Sequence, residues 1–125
     1  MASPTVDRRF GLVGASQFKA PCRVASTGNL TLSAAQTVNG VSVIALDRVL
    51  VKDQTTASSN GIYTVDTGAW VRAFDFDGNY DVVTGTLVYV TGGTSVGKGL
   101  WTVTSTNPVT IDTDNVTFAS VLLTT

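Results

Sequence analysis

The sequence predicts an all-β fold: a single-domain sandwich or small barrel of about eight or nine short, mainly antiparallel strands. Three observations predict it. The 125 residues are rich in Thr, Val, Gly and Ser and contain neither Glu nor His, a balance that favours a pleated surface over helices. Short β-branched runs recur with a period of two and never with a helical period. Asn-Gly pairs and glycine-rich stretches separate those runs, as tight reversals require.

The stretch from Asp47 to Trp70 organises the rest. Residues 48–52 (Arg-Val-Leu-Val-Lys) form a β-branched run with charged ends, and residues 62–65 (Ile-Tyr-Thr-Val) alternate apolar and hydroxyl side chains as a half-buried strand does. Between them Asp53, Ser58, Ser59 and Asn60-Gly61 supply residues that accept positive φ or bond their own backbone. Residues 66–69 turn again, and 70–72 return as a third strand anchored by Trp70. A three-strand meander is the expected folding unit.

Upstream, residues 1–20 read as an N-terminal arm and 21–125 as the β domain. Strands are expected at 22–27 and 30–32, followed by a hairpin over 37–43 about the first Asn-Gly, Asn39-Gly40. Downstream, an Asp/Asn/Gly loop spans 74–85. Strands at 86–91 and 100–104 flank the glycine-rich stretch 92–99, and a last strand covers 116–123. Trp70 and Trp101 each lie in a strand with a face to bury and read as core residues.

A net charge of −1 lacks the concentrated basic surface that nucleic acid or an anionic membrane needs, so neither is an expected partner. Cys22, the one cysteine, precludes an internal disulfide and reads as a small buried hydrophobe in a protein folded in a reducing cytoplasm. No apolar run approaches a membrane span of roughly 20 residues, and the first ten residues lack the apolar core of a secretion signal.

The stretch Gly92-Gly-Thr-Ser-Val-Gly-Lys-Gly99 nearly spells a phosphate-binding loop, but Gly99 stands where that loop needs a hydroxyl and a strand follows where it needs a helix. Asp75, Asp77, Asn79 and Asp81 alternate like the first half of a calcium loop, with Tyr80 and Thr86 where an EF-hand requires Gly and Glu. The commoner use of such a loop is Asx turns, with one Asp pairing Arg72. Asp75, Asp77, Asn79, Tyr80 and Asp81 are therefore the candidate glycan or cation contacts, with loop-borne Tyr80 the aromatic best placed to meet a sugar. Without His there is no Ser-His or Cys-His pair, so no enzyme, metal or cofactor is expected. In the arm, Arg8, Arg9, Phe10, Leu12 and Phe18 combine charge with more large apolar side chains than a solvated tail needs. They are the candidate assembly interface.

Taken together, residues 21–33 (Pro-Cys-Arg-Val-Ala-Ser-Thr-Gly-Asn-Leu-Thr-Leu-Ser), 37–41 (Thr-Val-Asn-Gly-Val), 47–55 (Asp-Arg-Val-Leu-Val-Lys-Asp-Gln-Thr), Asn60-Gly-Ile-Tyr63, Gly68-Ala-Trp70 and Arg72-Ala73 resemble a β module of bacteriophage tail-fibre and other virion proteins. The likeness covers residues 20–120 and leaves the arm outside it. It implies a non-enzymatic virion component such as a capsid decoration or cement protein, a head fibre, or a tail or fibre part. Such a component would be built in the bacterial host cytoplasm and located in the virion. Its implied partners are other capsid or tail proteins, and its implied state is a homo-oligomer, with a trimer the expected form. A glycan-binding receptor module of a tail fibre, contacting a host surface glycan, is the alternative.

Overall fold

The structure, a computed structural model, describes residues 18–78 and 81–121 together with the backbone of 6–7 and 12–13. Among the described residues it is built of strands, with short 3-10 turns at Ala57–Ser59 and Phe74–Phe76. Among the described residues no helix is long and apolar enough to cross a membrane. The chain is all-β, in several small sheets, and no barrel closes among the described residues.

Strand β1 (Val6–Asp7) pairs antiparallel with β2 (Leu12–Val13). A four-stranded sheet then forms from β3 (Val24–Ala25), β6 (Arg48–Val51), β7 (Gly61–Thr64) and β8 (Val71–Arg72), in the order β3-β6-β7-β8. Within it β6, β7 and β8 are the antiparallel meander predicted from 47–72. The hairpin β4 (Gln36–Val38) and β5 (Val41–Val43) closes about Asn39 and Gly40, at φ 45° and 81°, the left-handed pair that matches strand twist. A three-stranded sheet joins β9 (Leu87–Val90), β10 (Gly99–Val103) and β11 (Phe118–Ser120), with β10 in the middle.

One segment links the two larger sheets. Along residues 18–26 the chain runs parallel to β9 at one end, bridging Phe18 to Leu87 and Cys22 to Val90, and parallel to β6 at the other, where Val24 and Ala25 face Val49 and Leu50. Cys22 donates its N–H to Tyr89 O and accepts from Thr91 N, while the next residue, Arg23, donates to Arg48 O. Among the described residues, pairing with the body is already present at Phe18, inside the predicted arm. These parallel contacts interrupt an otherwise antiparallel pattern.

Both faces of the four-stranded sheet are covered. Val24, Val49, Val51, Tyr63, Val65 and Trp70 pack with Val38 and Val43 of the β4–β5 hairpin. On the other face Ala25, Leu50 and Ile62 share a core with Phe76 and with Val88, Val90 and Val103 of the three-stranded sheet. The unbroken apolar run of β6 has this cause: a strand buried on both sides needs no polar face. For the same reason β7 is buried at Gly61, Ile62 and Tyr63, where alternation had suggested a half-exposed strand. Trp70 is buried, with its indole N–H on Ala34 O at 2.9 Å. Trp101 lies half-buried against the second core, beneath the Lys52 ammonium.

Residues 30–32 are not a strand. The Gln54 side chain takes the place of a strand neighbour, accepting from Leu30 N at 2.8 Å and donating to Leu30 O at 3.0 Å. A single bridge, Ser33 to Ala69, ties the segment to the meander. Nor is Asn60-Gly61 a hairpin turn. Asn60 is extended and Gly61 begins β7, and the Asn60 side chain accepts from Gln54 N and donates to Val116 O, both at 2.9 Å.

Candidate binding surface

The loop carrying Asp75, Asp77 and Asp81 leaves β8 through the 3-10 turn Phe74–Phe76. That turn drives Phe76 into the core and leaves Phe74 in solvent. Asp75 thereby meets the Arg48 guanidinium in a two-pronged pair, Nη1 to Oδ1 at 2.9 Å and Nη2 to Oδ2 at 3.1 Å, the geometry in which arginine binds carboxylate best. The same Nη2 donates to Ala20 O at 3.0 Å, so one guanidinium pins the loop to the segment where the body begins.

Asp81 turns inward on its own loop. Its Oδ2 accepts from Asp77 N at 3.1 Å and Gly78 N at 2.9 Å, an Asx-type closure of the kind the sequence favours. The Asp77 carboxyl is raised above its ordinary value, first by lost solvation and then by a hydrogen bond shared with Asp81. The expected Asp partner for Arg72 comes from elsewhere: Arg72 pairs with Asp112 at 2.8 Å. The meander places Arg72 under the far end of the chain, whereas Asp75 is carried back over Arg48.

Asp75 thus goes to Arg48 while Asp77 and Asp81 share a hydrogen bond, and among the described residues no group of three or more acidic, cysteine or histidine side chains is gathered to hold a metal. Asn79 and Tyr80 lie outside the described residues, as do Arg8, Arg9, Phe10 and the side chain of Leu12. Phe18 is described and 54% exposed.

Beneath the loop lies a residue that sequence reasoning passed over. Lys19 is only 3% exposed, and its ammonium finds no hydrogen-bond partner among the described residues. Burial lowers its pKa, Asp81 and Asp75 oppose the shift, and Arg48 reinforces it. Lys19 and Arg48 supply the acidic loop with positive charge from within the protein. Cys22, close by and buried, has its thiol pushed up to about 12, chiefly by loss of solvent; a thiol in that state is a poor nucleophile.

The polar residues of the meander are likewise spent on the fold. Arg72 reaches back with Nη1 to Asn60 O and Nη2 to Ser58 O, both at 2.9 Å, and lies over the Tyr63 ring. A Cβ on Gly61, at φ +152°, would stand 2.5 Å from that guanidinium. The glycine-rich stretch after β9 has a packing cause too: a Cβ on Gly92 would sit 2.7 Å from the Arg23 carbonyl oxygen. The stretch is the connection between antiparallel β9 and β10, and it opens no helix of the kind a phosphate-binding loop requires.

The apolar side chains left in solvent include Phe18, Ile44, Leu46, Val71, Phe74, Tyr89 and Val96. Single exposed apolar residues are ordinary, but Ile44 and Leu46 share one short turn between β5 and β6. Nothing in the hydrophobic pattern marked that turn in advance. Comparison of the chain with protein-family models, with curated proteins and with solved structures found no match.

Proposed function

We propose that the chain is a non-enzymatic structural component of a bacteriophage particle, a capsid decoration or cement protein, head fibre or tail part, held in place by a protein interface repeated over the particle. The observation that carries this reading is where the residues of the virion-like stretch lie. Its Arg48, Gln54, Asn60, Trp70 and Arg72 are all engaged in internal hydrogen bonds. They build a self-contained β unit and leave contact with partners to apolar side chains on turns.

The chemistry of the remaining groups agrees. Asp75 is held by Arg48, Asp81 by backbone amides, Asp77 shares a hydrogen bond with Asp81, and the single thiol is buried, so the carboxyls of the described loop are engaged within it or with Arg48. With this reading go a sandwich-like stacking of the two larger sheets about their shared core, a homo-oligomeric state with a trimer as its form, and a location in the virion.

Cryo-electron microscopy of the particle encoded by the same genome, with and without this chain, tests the reading. The expected result is density that fits residues 18–121 at lattice or tail positions and vanishes on deletion. Absence of such density, together with absence of the chain from gradient-purified particles, would refute it. Equal resistance of deleted and intact particles to heat and osmotic shock would remove the cementing role alone.

A further inference from the structure

Among the described residues, four besides glycine hold φ in the left-handed region: Ala34, Asn39, Leu46 and Asp112. Asn and Asp adopt it at little cost because their short polar side chains bond locally, and alanine presents only a methyl group. Leucine has no such excuse. Leu46, at φ 78°, is also 84% exposed and belongs to neither core. Its side chain costs the fold both strain and hydration and returns no burial, although a glycine, which the chain uses at Gly40, Gly85 and Gly93 for the same backbone conformation, would remove both costs. What the position requires is therefore the side chain, acting outside the protomer.

The turn fixes the backbone that carries that side chain. Asp47 Oδ2 accepts from Ile44 N at 2.9 Å and pairs with Arg23 at 2.6 Å, while Leu46 N donates to Val65 O and Val65 N to Asp47 O, both at 2.9 Å. Ile44 stands beside it, 59% exposed. Two large apolar side chains on a fixed turn can be buried against a partner without further ordering of the backbone.

We propose that residues 44–47 form a docking knob whose Ile44 and Leu46 enter an apolar socket on the repeated protein of the particle lattice; this rests on the structural-component reading above. Area selects that occupant. Two side chains fall far short of the roughly 800 Å² per partner that a free-standing complex requires, so an isolated pair of copies would not persist through this contact. On a repeating surface several such knobs engage at once, and effective concentration makes up for the small area of each.

The test compares the wild-type chain with Leu46→Gly and Ile44→Ser, added to particles assembled without the chain and followed by co-sedimentation. Leu46→Gly should weaken binding by about tenfold or more, the effect of one leucine left unburied. Its melting temperature in isolation should be unchanged or higher, and Ile44→Ser should also weaken binding. A fall in melting of roughly 3 °C or more for Leu46→Gly would overturn the proposal by showing that the leucine serves the fold. Equal binding of wild type and variants would overturn it while leaving the particle reading intact. Failure of the wild type to bind would remove both. Loss of a wild-type homo-oligomer on Leu46→Gly, measured by sedimentation without particles, would overturn the assigned occupant in favour of a second copy.

Discussion

Asn60 offers the sharpest test of how the meander is joined to the end of the chain. Its side chain is buried and makes two hydrogen bonds, to Gln54 N and to Val116 O. Truncation to alanine leaves the Gln54 N–H and the buried Val116 C=O without partners, and each orphaned group costs about 1–3 kcal/mol. The Gln54 end is partly solvated, which puts its share near the lower limit, so Asn60→Ala should destabilise the protein by about 3 kcal/mol. At this chain length that corresponds to a melting temperature lower by about 12 °C, and to a urea midpoint lower by about 1.5 M at unchanged slope. Asn60→Asp keeps the acceptor for Gln54 but directs a carboxylate at the Val116 carbonyl, so it should be less stable at neutral than at mildly acidic pH. The measurement is urea unfolding followed by tryptophan fluorescence. A loss below about 1 kcal/mol for Asn60→Ala, or an Asn60→Asp variant indifferent to pH, would refute the view that this amide is the joint.

Other perturbations follow from the same packing. Gly92→Ala sets a methyl group against the backbone oxygen of Arg23, which paired strands prevent from yielding, and should cost about 2 kcal/mol in urea unfolding; a neutral result would mean that the glycine-rich connection moves freely. Gly61→Ala should cost a similar amount and displace the Arg72 guanidinium, visible as weakened coupling between Arg72→Ala and Asp112→Ala in a double-mutant cycle. Cys22 keeps its proton to about pH 12 when folded and loses it near 9.0 when unfolded. The folded state therefore binds more protons between these values, and the contribution is complete below about pH 9 and declines above it. Cys22→Ala should flatten that alkaline decline, and the native thiol should resist disulfide reagents until the protein unfolds; rapid native labelling would contradict its burial. Lys19, whose pKa is lowered, contributes with the opposite sign, since the unfolded chain then binds more protons and stability grows as pH rises toward 10.5. Lys19→Met should abolish that rise, and an unchanged profile would show that the amine is solvated.

Much of the fold could be read from local pattern, because local pattern controls it. The β-branched run of 48–52, the alternation in 62–65, the strand signal of 86–91 and the Asn39-Gly40 reversal are short-range facts, and each is found as a strand or hairpin. Partner choice is a long-range matter. Nothing in residues 18–26 announces that they lie parallel to both β9 and β6, because burial and propensity look the same whichever neighbour is chosen. Leu30, Thr31 and Leu32 have the right composition for a strand, yet Gln54 occupies the hydrogen-bonding place beside Leu30, a substitution of side chain for backbone that no periodicity reveals. In the candidate surface the Asx closure by Asp81 was legible from residue type, whereas Asp75 meeting Arg48 and Asp112 meeting Arg72 depend on where the meander carries each arginine. Leu46 was the least legible of all, since a leucine between two strands ordinarily signals burial and only its backbone angle shows otherwise.

The parallel setting of residues 18–26 has a mechanical consequence. Lys19 N, Cys22 N, Cys22 O, Arg23 N and Ser26 N are each bonded to β9 or β6 or to the residue just past β9, along a stretch that lies beside β9 at one end and β6 at the other. Tension applied through the N-terminus runs along the axis of that stretch and strains these bonds together in shear. A hairpin edge pulled from its open end would instead give way one bond at a time. If the first residues are what a particle holds, tugging forces enter the protein at the place where its hydrogen bonds yield collectively.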